Sequence, residues 1–142
     1  MSLTDPLPPG VIVLLPGEGR QYDCGPMRSI FLADGAESGD RYSASIWYVA
    51  PHRSGPGAHS HEHNEELFYV FEGTMTFLVG EQHIDAPAGS FLRVPAGVTH
   101  DFENNTAHRT GVFNVFIPGG FESNMAAIVE WYRSLDQVDL KL

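Results

Sequence analysis

Between Ala58 and Leu67 the chain reads His59-Ser60-His61-Glu62-His63-Asn64-Glu65-Glu66, three imidazoles and three carboxylates in eight consecutive positions. In extended backbone, side chains two apart point to the same side. His59 and His61 can therefore offer two ring nitrogens to one ion while Ser60 faces away. A carboxylate a few residues on can close the site after a bend, and Glu65 and Glu66 are both available. His100, some forty residues later, supplies a fourth group if the fold brings its segment alongside. Imidazole and carboxylate together suit one borderline divalent ion, Fe, Mn, Ni, Cu or Zn, and the affinity order alone does not choose among them. Four protein ligands leave one or two positions of an octahedral centre open for chemistry.

Such ligands need a scaffold, and the rest of the chain reads as all-β. Fifteen Gly and ten Pro recur at short intervals along 142 residues, with segments rich in Val, Ile, Phe, Tyr, Trp and Thr between them. Candidate strands are 11–15, 27–32, 42–50, 67–71, 74–79, 82–85, 90–94, 99–103 and 111–117. After Gly119-Gly120 the period changes: Met125, Ile128, Val129, Tyr132 and Leu135 share one face of a helix that should lie against the sheet. A single domain follows from the length. Its parts are an amino-terminal arm with outer strands (1–40), a barrel core (41–118) and a carboxy-terminal helix and tail (119–142). The run Leu67–Phe71 is apolar on both faces, so the arm or a second subunit should cover it, and a homodimer is expected.

Composition removes several classes of function. A net charge of −10, with eight basic residues and no basic run, argues against nucleic acid as a partner. The one cysteine, Cys24, has no partner for an internal disulfide and reads as structural or incidental. No apolar stretch approaches the roughly 20 residues of a membrane span, and the first residues lack an export signal, so a cytoplasmic protein is expected.

At this point two segments resemble the motifs of the cupins. The first, roughly G-x5-H-x-H-x(3,4)-E-x6-G, fits His59, His61, Glu66 and Gly73, although its leading glycine is displaced: Arg53 stands there, with Gly55 and Gly57 nearby. The second, G-x5-P-x-G-x2-H-x3-N, fits Gly89, Pro95, Gly97, His100 and Asn104 at every interval. Thr74 to Ala88 separate them, similar to the compact spacing of small microbial cupins. The resemblance implies a double-stranded β-helix, or jelly-roll barrel, and a metal held by His59, His61, Glu66 and His100. Glu66 is preferred to Glu65 because a glycine follows it after six residues. The register His61-x-His63 remains an alternative, with Gly55 then well placed but His63 closer to Glu66 than the family allows.

The closest likeness is to small quercetin dioxygenase-like cupins. It implies that Glu66 is both ligand and catalytic base, and that dioxygen attacks a small enol-, catechol- or flavonol-type substrate. A metal-dependent isomerase, lyase or decarboxylase acting on a keto or hydroxy acid is the alternative, and a barrel that binds a small molecule without turnover is a third. Glu66 pointing inward would bring Phe68 and Val70 with it, and His100 would bring Phe102. Tyr48, Phe68, Arg93, Phe102, Phe113 and Asn114 are therefore candidates for substrate contact, Arg93 as a clamp for a carboxylate. Their ordinary reading is core or outer-face packing. His52, His83 and His108 are expected in solvent, and Asn104 also reads as a plain turn residue.

Overall fold

The computed structural model describes residues 5–139 and consists of two antiparallel sheets and a terminal helix. The strands are β1 (Arg20–Cys24), β2 (Met27–Ala33), β3 (Ser43–Val49), β4 (Glu65–Glu72), β5 (Thr74–Val79), β6 (Gln82–Pro87), β7 (Phe91–Val94), β8 (His100–Glu103) and β9 (Thr110–Ile117). The larger sheet has the order β1-β2-β3-β9-β4-β7, and the smaller β6-β5-β8. A one-turn helix, α1 (Gly35–Ser38), interrupts the path from β2 to β3. A 3-10 turn at Phe121–Asn124 leads into α2 (Met125–Asp139). Among the described residues no helix is long and apolar enough to cross a membrane.

Alternation along the strands builds the core. In β4, Glu66, Phe68 and Val70 are buried, while Leu67, Tyr69 and Phe71 point outward. Phe68 meets Phe77 of β5 and Phe102 of β8 with ring centroids 5.3 and 6.1 Å apart, joining the sheets. Each such ring, removed from water, contributes about 1.5–3 kcal/mol. The β4–β5 turn depends on Gly73, at φ 69°, where a Cβ would lie 2.8 Å from the Arg109 carbonyl oxygen.

Two expectations are corrected. Residues 11–15 form no strand and lie against the outer face of the sheet, with Val11 48% exposed. The first strand is instead Arg20–Cys24, whose polar sequence shows no alternating apolar pattern and which pairs along its whole length with β2. Cys24 is thus a fully buried core residue, not part of a loose arm. The outer side of β4 and its neighbour β7 stays uncovered within one chain: Tyr69 is 47% and Phe91 62% exposed. In α2, Met125 and Tyr132 are buried and Ile128 and Val129 half-buried, but Leu135 is 40% exposed.

Candidate metal centre

Four side chains from three places in the chain converge inside the barrel. His59 and His61 lie on an extended segment held by paired backbone hydrogen bonds between His59 and His100, of 3.0 and 2.8 Å. The Gly97 amide donates to the His61 carbonyl at 2.8 Å, fixing the two motif segments against each other. Glu66 begins the buried side of β4, and His100 opens β8. Gly55, on the approach to His59, runs so close to β8 that a Cβ there would stand 1.8 Å from the Phe102 carbonyl oxygen. Asn104 is a clamp rather than a plain turn residue. Its buried amide donates to the carbonyls of Val49, Ala50 and His108, and its oxygen accepts from Thr106.

One ligand atom each from His59, His61, Glu66 and His100 falls within a 4.8 Å span. The His59 and His100 Nδ1 atoms lie 2.6 and 2.9 Å from the carbonyl oxygens of Gly57 and Val98. Each Nδ1 therefore carries the proton in the neutral ring, and each Nε2 is left with a lone pair. His61 Nε2 lies 3.3 Å from Glu66 Oε2, and His100 Nε2 is in still closer contact with that oxygen. Yet these three buried atoms have no hydrogen-bond partner of acceptable geometry among the described residues. Converging lone pairs around a buried carboxylate oxygen are costly unless a cation sits among them. The donor set therefore fits a metal ion.

Without an ion, burial would raise the Glu66 carboxyl, but His100 and His61, where their rings carry a proton toward it, outweigh burial and hold it down at about 2. Burial lowers His59 against the pull of the Gly57 carbonyl, favouring the neutral ring. For His100 burial also acts downward, but Glu66 and the Val98 carbonyl prevail and raise it. The other Glu66 oxygen, Oε1, accepts from the Asn114 amide at 3.1 Å, and that same amide nitrogen lies 3.3 Å from the Leu67 carbonyl. Asn114 thus fixes which carboxylate oxygen is free.

A family model described as a cupin domain matches residues 45–116, half of the chain, including all four converging residues. The chain is a cupin. Over 64 residues it is 41% identical to quercetin 2,3-dioxygenase of Bacillus subtilis (strain 168); the match takes in 45% of this chain but only 19% of that relative's length. Among solved structures, KdgF from a Halomonas species superposes with a TM-score of 0.67 at 15% identity, covering 77% of this chain and 94% of its own. A predicted oxalate decarboxylase from Thermotoga maritima gives 0.62 at 20% identity over 65% and 80% of the two chains. At such identities the structural likeness concerns the fold.

Beside the four ligand candidates this cupin has a cavity of about 390 Å³. Phe102 and Asn114 line it, as the sequence suggested. Phe68 does not: it packs beneath the site, 6.1 Å from the His100 ring. Tyr48, Arg93 and Phe113 are corrected outright, because strand alternation turns each to the outer face. Tyr48 meets Phe71 edge-to-face and lies under Arg109, Phe113 lies beside the arm, and Arg93 pairs with Glu65 at 2.8 Å. His63 is 81% exposed and outside the cluster, and His52, His83 and His108 are exposed as well. Sequence reasoning missed Trp47, which faces inward beside Tyr48, and the contribution of Phe121 and α2. The inward parity of Asn114, paired with Ser45, was the available signal for Trp47.

Proposed function

We propose that this cupin binds one divalent ion through His59, His61, Glu66 and His100 and acts as a dioxygenase on a small enol-, catechol- or flavonol-type molecule. The observation that carries this reading is the buried, partnerless Glu66 oxygen among imidazole lone pairs, opening on a cavity walled by Phe102 and Phe116. The oxidative branch takes its lead from the name of the quercetin 2,3-dioxygenase relative, whose match over 19% of its length supports the cupin family. A bound divalent ion lowers the pKa of a coordinated hydroxyl and gives substrate and dioxygen a common centre.

The chain's own residues do the rest. Asn114 keeps Glu66 Oε1 occupied, leaving Oε2 to hold the ion or accept the substrate's hydroxyl proton. Phe116 stacks on Phe121 at 4.2 Å, and both rings edge onto His61 at 5.1 and 5.9 Å. These rings keep bulk water from the reacting atoms. Oxygen uptake by protein loaded with Fe(II) or Ni(II), in the presence of flavonols and small enediols, tests the reading. Substrate-dependent uptake supports it. A metal-replete, oxygen-silent protein would replace it with isomerase, lyase or decarboxylase chemistry on a keto or hydroxy acid.

A further inference from the structure

Apart from Met27 of β2, the cavity is built by two different parts of the chain. Residues 45–116, the part shared with the family, supply His59, His61, Glu66, Phe102, Asn114 and Phe116. The facing wall comes from beyond that range: Phe121, Asn124, Ala127, Ile128, Trp131 and Tyr132, from the 3-10 turn and one face of α2. Asn124, Ala127, Ile128 and Trp131 recur at helical spacing, which places them along one stripe. Among the described residues no Lys or Arg lines the cavity, and the one formal charge they bring to it is the Glu66 carboxylate.

Those facts bear on what can bind. A carboxylate or phosphate against this wall, which is open to solvent at Asn124, Ala127 and Trp131, would give up part of its water and meet no cation among the described lining residues, with Glu66 repelling it. A flat apolar ring would instead meet Phe102, Phe116, Phe121 and Trp131, whose faces favour stacked or edge contact. The volume, about 390 Å³, is near the lower end of the roughly 300–1,000 Å³ of ligand pockets, which suits a compact molecule.

We propose that the face formed by Asn124, at the end of the 3-10 turn, and by Ala127, Ile128 and Trp131 of α2 is the selectivity wall of this site, admitting uncharged hydroxylated aromatic molecules of one or two rings and rejecting carboxylates and phosphates. This deepens the proposed function and rests on it for the chemistry, but the wall is testable without turnover. Trp47 and Trp131 are the only two tryptophans in the chain, and both line the cavity. Their fluorescence therefore reports occupancy directly.

The test uses the full chain, first stripped by chelator so that no metal attracts an anion, then metal-loaded. In stripped protein 2-naphthol should quench saturably, and 2-naphthoate should bind at least about tenfold more weakly for want of a cation. Ala127→Trp, on the exposed helix surface, should weaken naphthol at least about tenfold by filling the cavity, with metal stoichiometry after loading unchanged. Asn124→Arg should raise naphthoate affinity about tenfold by supplying the missing cation. Naphthoate binding as tightly as naphthol in the wild type, or naphthol binding indifferent to Ala127→Trp in a protein with native circular dichroism, would overturn the wall. Intact naphthol selectivity with no oxygen uptake after metal loading would instead refute the oxidative function and leave the wall standing.

Discussion

Asn114 offers a way to perturb the candidate metal site without replacing any of its four converging side chains. Replacing it by Leu keeps the approximate size of this buried side chain but removes the amide that donates to Glu66 Oε1 at 3.1 Å. A hydrogen bond to a charged acceptor is worth about 1.5–3 kcal/mol, and about 1.4 kcal/mol is tenfold in affinity. Groups that orient metal ligands likewise alter affinity by about 10- to 100-fold. Asn114→Leu should therefore weaken Zn(II) or Ni(II) binding by about 10- to 100-fold, measured by competition with a fluorescent chelator, at unchanged stoichiometry. The lost contact with the Leu67 carbonyl should separately lower the Tm of the metal-free protein by about 2–4 °C per kcal/mol. Affinity within about twofold of wild type, where the change should exceed about 1.5 kcal/mol, would refute the role given to Asn114.

Cys24 gives an alkaline prediction. Burial, followed by Asp23, raises its thiol to about 11 from 9.0. A raised folded pKa means the stability is fully present below pH 9 and is lost as pH climbs toward 11, by about 2–3 kcal/mol in all. Urea unfolding at pH 8 and pH 11 should show this loss in wild type and not in Cys24→Val; equal pH dependence would refute it. Gly55→Ala should drive Cβ into the Phe102 carbonyl at 1.8 Å and cost about 3 kcal/mol or more, read as a fall in Tm; an unchanged Tm would contradict the close approach. The exposed outer face carrying Tyr69, Phe71 and Phe91 should be covered by a second copy. Sedimentation should then give twice the 15.6 kDa chain mass, reduced toward one chain by Tyr69→Glu with Phe91→Glu; wild type sedimenting as one chain at micromolar concentration would refute this.

The candidate metal cluster was legible in part from short-range spacing and strand parity, while the choice of Glu66 over Glu65 and of His100 as fourth group rested on the resemblance to the cupin motifs. His59 and His61 are two apart on extended backbone, and Glu66, Phe68 and Val70 alternate inward as β4 requires. Cavity residues were less legible where parity was not carried across strands. Phe113 and Asn114 are neighbours in β9 and cannot both face inward; the pairing Ser45 with Asn114 selects Asn114 and Trp47 over Phe113 and Tyr48. Strand β1 escaped because Arg20-Gln21-Tyr22-Asp23 has no apolar alternation and owes its place to pairing with β2. The helix was readable from its period, but its position over the cavity depends on the path through Gly119, Gly120 and the 3-10 turn. No local pattern encodes that path.

Metal content across four proteins tests the centre most directly. Tag-free wild type, His63→Ala, His59→Ala and His100→Ala would be purified without chelator, reconstituted with Fe(II) or Ni(II), and measured by elemental analysis. His63, 81% exposed and outside the cluster, should be dispensable, whereas His59 and His100 belong to it. Near-stoichiometric metal is expected in wild type and His63→Ala, with most of it lost from His59→Ala and His100→Ala. A wild type that stays empty after reconstitution, or a site emptied by His63→Ala and retained in His59→Ala, would contradict the assignment.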